Sequence, residues 1–163
     1  MTEAAHQPDL QPDLQSDLEE IQAVIDAFFA AFVTGPELAE RMAALRGLFV
    51  PQALVTSTGG RGPSVMDVDS FIEPRQALLG GGGLTEFSEW PTGGRIDVFG
   101  DIAHWFGSYA KAGVQHGTAT EGRGKKSIQL VRTTAGWRIT AAAWDDERPG
   151  VPLAGEAPVG VAG

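Results

Sequence analysis

The chain contains no cysteine. Disulfide frames, thiolate metal sites and cysteine nucleophiles are therefore excluded. Nor does it contain an apolar run approaching the roughly 20 residues that a membrane-spanning helix needs, so no membrane partner is expected. Basic charge is scarce: 12 Lys and Arg stand against 21 Asp and Glu, a formal net charge of −9 over 163 residues. Nucleic-acid affinity comes largely from cations that neutralise phosphates, so no nucleic-acid partner is expected either. The opening stretch MTEAAHQPDL lacks the basic flank and apolar centre of a signal peptide, and the expected location is the cytoplasm.

Catalytic signatures are missing as well. There is no G-x-S-x-G, no H-E-x-x-H and no dinucleotide fingerprint. The run Gly122–Ser127 (GRGKKS) fails the phosphate-loop spacing. Ala119 stands where the first glycine belongs, and Lys126 where Ser or Thr belongs. The glycines Gly80–Gly83 follow a helix rather than a strand. No cofactor and no metal are expected.

What is present is a single domain's worth of core, with 42% of residues hydrophobic. Residues 1–15, with a QPDL repeat, are expected to be a disordered tail, 16–148 one domain, and 149–163 a loose tail. Ser16 and Glu19 have capping-box spacing, and Leu18, Ile21, Ile25, Phe28 and Phe32 recur at helical intervals. A helix over 17–33 follows. Leu38, Met42, Leu45 and Phe49 mark a second helix, closed by Pro51, and Asp67 or Asp69 caps a third that tolerates Pro74 near its first turn.

Short strands are expected at 53–58 and around 65–66. A bent strand over 84–99, interrupted at Pro91–Gly94, returns through Gly100-Asp101 into 102–110. Residues 113–125 are polar and glycine-rich and read as a mobile loop. The hairpin 126–133 and 137–144 is the element that the helices cover, and Asp145-Asp146-Glu147 ends it. Helices segregated from a strand meander make an α+β domain: a cone-shaped, curved antiparallel sheet with three helices on its concave face.

That order, together with FIEPRQALL (71–79), LTEFSEW (84–90), VFGDIAHWFGSY (98–109) and KSIQLVRTTAGWRITAAAWDDERPG (126–150), resembles the nuclear transport factor 2-like (SnoaL-like, cystatin-like) superfamily. It is most similar to an uncharacterised bacterial branch, over residues 17–150. The resemblance implies a pocket under the helices and a homodimer formed through the outer sheet face. It transfers no catalytic residue.

Candidates must come from the residues themselves. His104 is the only His inside a predicted strand; inside the cone it would serve as general base or acid, and otherwise it is a core or interface residue. Asp145, Asp146 and Glu147 are a carboxylate cluster at the pocket mouth or a solvated strand end paired with Arg148. Glu86, Glu89 and Asp26 are further acids, and Arg75 and Arg132, if inward, would grip a ligand carboxylate. Aromatic supply is generous, and the expected pocket lining is Phe28, Phe32, Trp90, His104, Trp105, Phe106, Tyr109 and Trp144. Both strand faces carry large apolar groups, so the inward face stays open. The reading is a domain that binds a small hydrophobic or aromatic ligand and forms a homodimer. The alternatives are a cofactor-independent isomerase, dehydratase or cyclase acting on a hydrophobic carbonyl compound with His104 as base, and a structural or protein-interaction module.

Overall fold

A computed structural model of the protein describes residues 13–153. The expected tails fall largely outside these residues, as does His6. The first helix, α1 (Leu14–Ala30), starts a turn earlier than the Ser16 box predicts. Asp13 is its cap, its carboxylate accepting from the Gln15 amide at 3.1 Å. Ser16 and Asp17 therefore lie inside the first turn, and Asp17 is free to bond elsewhere. Helix α2 (Leu38–Gly47) ends before Phe49, which instead opens strand β1 (Phe49–Ser57). Pro51 sits within β1 rather than closing a helix. A proline removes a ladder donor, and the pairing of β1 slips between Phe49 and Leu54, where Pro51 lies. Strand β2 (Ser64–Met66) and helix α3 (Val68–Gly80) follow. Asp67 caps α3, accepting from the Ser70 amide at 2.7 Å, and Pro74 is held deeper in the helix than its first turn.

Four long strands complete the chain: β3 (Leu84–Phe99), β4 (Ile102–Gln115), β5 (Thr118–Thr133) and β6 (Gly136–Asp146). The sheet order is β2-β1-β6-β5-β4-β3. The curved α+β sheet is as expected except at one pair: β1 runs parallel to β6. No hairpin joins these two strands, so nothing in the chain forces them antiparallel. The break expected in β3 is a register shift between Pro91 and Gly93, which lets one continuous strand bend.

Residues 113–125 are not a mobile loop. They extend β4 and β5 into a long hairpin that turns at His116-Gly117. Their glycines mark close approach rather than freedom. A Cβ at Gly124 would overlap the Asp145 carbonyl oxygen and stand 2.7 Å from the Tyr109 hydroxyl. Asp145 and Asp146 likewise continue β6, paired with Lys125 and Gly124.

The core lies between α1, α3 and the concave face. Phe28 is fully buried, stacked on Phe71 with ring centres 6.5 Å apart, and Phe29 meets Trp105 edge-on at 5.7 Å. A register shift between Gln129 and Leu130 changes the phase of β6. Trp137 and Ile139 point inward before it, Ala142 and Trp144 after it. One end of this core is pinned by Asp17. Its carboxylate accepts from Arg132 Nη1 at 2.7 Å, Arg132 Nη2 at 2.8 Å and Trp137 Nε1 at 3.2 Å. Among the described residues no helix is long and apolar enough to cross a membrane.

Candidate functional site

At the other end of the concave face the helices stand off the sheet, leaving a hollow of about 440 Å³. Helix α3 contributes Phe71, Arg75 and Leu79, and Phe32 closes in from just beyond α1. The sheet contributes Phe87 and Glu89 from β3, Lys111 from β4, Lys126 from β5 and Trp144 from β6. The parity of the strands brings the charged groups together. Glu89 faces Lys111 across the β3–β4 ladder, and Lys126 faces Trp144 across β5–β6.

Lys126 is the most unusual group here. It is 4% exposed, with its Nζ 3.0 Å from Glu89 Oε1, itself nearly buried. The ammonium lies over four rings, with centroids at 4.2 Å (Tyr109), 4.7 Å (Trp144) and 5.8 Å (Phe28 and Phe29). Burial pushes its pKa below the ordinary lysine value, and the neighbouring Glu89 charge only partly opposes that. Beside it the Tyr109 hydroxyl donates to Asp146 Oδ1, which also accepts from Lys111 Nζ at 3.3 Å. Burial first, and the Asp146 carboxylate second, raise the Tyr109 pKa far above the ordinary phenol value, so its proton stays in place as a donor.

Arg75 completes the wall. Its guanidinium lies over Phe71 at 4.4 Å and Trp144 at 5.0 Å, and Nη1 donates to the Phe71 carbonyl at 3.2 Å. Its pKa is lowered, first by burial.

The eight aromatic and histidine residues expected to line a pocket divide between the two faces. Phe28, Phe32, Trp105, Tyr109 and Trp144 lie on the inner side, and of these Phe32 and Trp144 border the hollow itself. Trp105 packs deeper, against α1. Trp90, His104 and Phe106 do not line this pocket. They share the convex face, since β4 alternates and His104 and Phe106 have the opposite parity from Trp105 and Tyr109. Trp90 is opposite Ala110, on that same outer side. His104 is bonded to Ser127 Oγ at 2.7 Å and stacks on Phe106 at 6.1 Å. A base at His104 acting with a carboxylate inside the cone is therefore ruled out by position.

The other candidates have their own partners. Arg132 is spent on Asp17 and Asp101 rather than facing the hollow. Asp145 pairs with Arg148 and accepts from the Gly59 amide at 3.1 Å, and Glu147 pairs with Arg123 at 2.8 Å. Asp26 accepts from Gln22 on the exposed side of α1, and Glu86 takes a left-handed backbone (φ 52°) beside the first β3 irregularity. Among the described residues no group of three acidic or histidine side chains could hold a metal ion.

Sequence reasoning named Asp146 within its carboxylate cluster but passed over Lys126 and Lys111 as site residues. A signal existed: Lys126 has the same parity as Ile128 and Leu130, so it points to the buried face of its strand.

A shallower hollow of about 570 Å³ occupies the convex face, lined by Leu54, Phe99, Ile102, His104 and the Ala141–Ala143 run. Around it Leu54, Phe99, Ile102 and Phe106 are substantially exposed.

No family model and no curated protein matches this sequence. Solved structures do match in shape. A nuclear transport factor 2-like superfamily protein from Salmonella enterica serovar Typhimurium superposes with a TM-score of 0.69 at 16% identity, covering 90% of this chain and 99% of that one. A protein from Novosphingobium aromaticivorans, provisionally described as an aromatic ring hydroxylase, gives 0.68 at 20% identity, covering 85% and 94%. A Streptomyces avermitilis protein of the same fold, provisionally a dehydratase, gives 0.64 at 14%, covering 82% and 97%. Three helices over a six-stranded curved sheet, matched along nearly the whole of each of these chains, give this protein the nuclear transport factor 2-like, cystatin-like fold.

Proposed function

We propose that the domain binds a small, largely apolar or aromatic molecule in the hollow under α3. The observation that carries this is the hollow itself. It is concave, walled by Phe32, Phe71, Phe87 and Trp144, and supplied with a few buried polar groups, as ligand sites generally are. A panel of aromatic and alicyclic compounds, followed by thermal shift, tests it. A ligand at 100 times its Kd stabilises the fold by about 2.7 kcal/mol. The shift should vanish in Leu78→Trp, which fills the mouth from an exposed position. No response from any compound, or an equal response in the filled variant, would sink the reading.

The domain acts as a homodimer joined through the convex face, where Leu54, Phe99, Ile102 and Phe106 present apolar surface. Sedimentation should give twice the chain mass, and Ile102→Glu should give a monomer. A monomeric wild type ends this part.

A second reading is favoured by one specific observation, the carboxylate of Glu89 held 3.0 Å from a desolvated Lys126 amine at the hollow's floor. Such a pair can relay protons, which fits a cofactor-independent isomerase, dehydratase or cyclase working on a hydrophobic carbonyl compound. Two of the structural neighbours bear enzymatic names. Its test is NMR detection of α-hydrogen exchange in cyclic ketones, with loss of exchange in Glu89→Gln.

A further inference from the structure

We propose that the pocket selects a monocarboxylate with a ring-shaped apolar body, and that Arg75 is the group that holds the carboxylate. This rests on the reading of the hollow as a ligand site and names the class of molecule it takes.

The first support is the state of Arg75 among the other arginines. Six of the other eight arginines, Arg41, Arg46, Arg95, Arg123, Arg132 and Arg148, each meet a carboxylate, while Arg61 is exposed and Arg138 donates to the Trp137 carbonyl. Arg75 is half-buried, and among the described residues no carboxylate lies within ion-pair distance of it. Its one hydrogen bond, from Nη1 to a backbone carbonyl, leaves most of a five-donor fork uncommitted. Taking a guanidinium out of water without an anion is costly, and a ligand carboxylate would offset that cost.

The second support is the local charge. Arg75, Lys111 and Lys126 stand on the hollow's walls against Glu89 and, behind Lys111, Asp146. The remaining acid on the lining, Glu121, is exposed at the rim, where water screens it. Three cations against Glu89, Asp146 and Glu121 leave the hollow close to neutral, in a chain whose net charge is −9.

Geometry sets the rest. Phe71 and Trp144 pack against the guanidinium and restrict it, so little freedom is lost when two of its nitrogens engage one carboxylate. The same two rings, with Phe32 and Leu79, would contact the ligand's apolar body. A second negative charge is disfavoured, because Glu89 already interacts electrostatically with Arg75.

The test compares 2-naphthoate with 2-naphthamide, nearly the same shape with and without the charge, by calorimetry on the full chain. Wild type should bind the acid at least about tenfold tighter, a difference of about 1.4 kcal/mol. Arg75→Gln should bring the two to parity, with amide binding unchanged and the melting point confirming the fold. Arg75→Lys should retain part of the preference. The Trp144 indole resonance should shift with either compound. Equal affinities in wild type, or a preference for the acid that survives Arg75→Gln, would overturn the proposal while leaving the pocket intact. If neither compound moves the Trp144 resonance, the pocket reading falls and this proposal with it.

Discussion

Asp17 with Arg132 at one end of the concave face, and Glu89 with Lys126 at the other, are chemically alike: an acid and a base paired at the inner face of the sheet. Their surroundings differ in every respect that matters. Asp17 takes three donors, two from a guanidinium and one from the Trp137 indole, with packed side chains around it. Lys126 has one carboxylate, four aromatic rings and an open hollow beside it. The first pair is closed and ties α1 to the sheet. The second is desolvated with open space beside it, which is the arrangement the proposed ligand site requires. The difference teaches that a buried ion pair marks a site only when space is left next to it.

The sharpest way to break that contrast is at the closed end. Trp137→Ala should cost about 3–5 kcal/mol by chemical denaturation, because it empties the core and removes a donor from Asp17. A cost no greater than that of an exposed substitution would show that the closed end is not the anchor. At the open end, Lys126→Met should cost about 3 kcal/mol, since it strands the Glu89 charge. Adding Glu89→Leu should recover most of that loss, as buried pairs are often replaceable by apolar groups. Ligand response should nonetheless differ from wild type in both variants. If the double variant stays as unstable as the single one, the pair is structural after all. Gly124→Ala should cost about 1–3 kcal/mol, because its Cβ must displace the β6 backbone and the Tyr109 hydroxyl. Since Tyr109 and Asp146 are what it disturbs, the change should also alter the environment of Lys111 at the pocket end.

The same contrast explains what could be read from the sequence. Helical spacing of Ile21, Ile25 and Phe28, and alternation in Lys126–Val131, showed both the roof and the sheet because apolar periodicity is a local signal. The glycines of 113–125 misled for a physical reason. A glycine required by a close neighbour, as Gly124 is by Tyr109, is indistinguishable in the sequence from one required by a turn. The alternation of β4 puts His104 and Trp105 on opposite faces, yet both were expected in the lining, because nothing in the strand says which of two apolar faces the helices cover. The site was harder still. Glu89 and Lys126 lie on strands separated in the sheet by β4, and they meet only because the sheet curls them under one roof.

The smallest effect, and the one most specific to the closed end, lies in acid. The Arg132 hydrogen bonds, aided by the Trp137 indole, hold Asp17 below its ordinary value of 3.8, although burial acts in the opposite direction. A carboxylate with a depressed folded-state pKa stabilises the fold above the ordinary value, and that contribution disappears as pH falls through the depressed one. Asp17→Asn should therefore be less stable than wild type near neutrality, by an amount that shrinks steadily below about pH 4. Asp67, Asp145 and Glu147 are also depressed, but both proteins share them, so they cancel in the difference. Arg132 stays charged throughout and keeps Asp101 as a partner in both. Denaturation midpoints of the two proteins measured from pH 7 to pH 2 should converge. A constant gap would mean that the Asp17 charge contributes nothing and that its shape alone holds α1 in place.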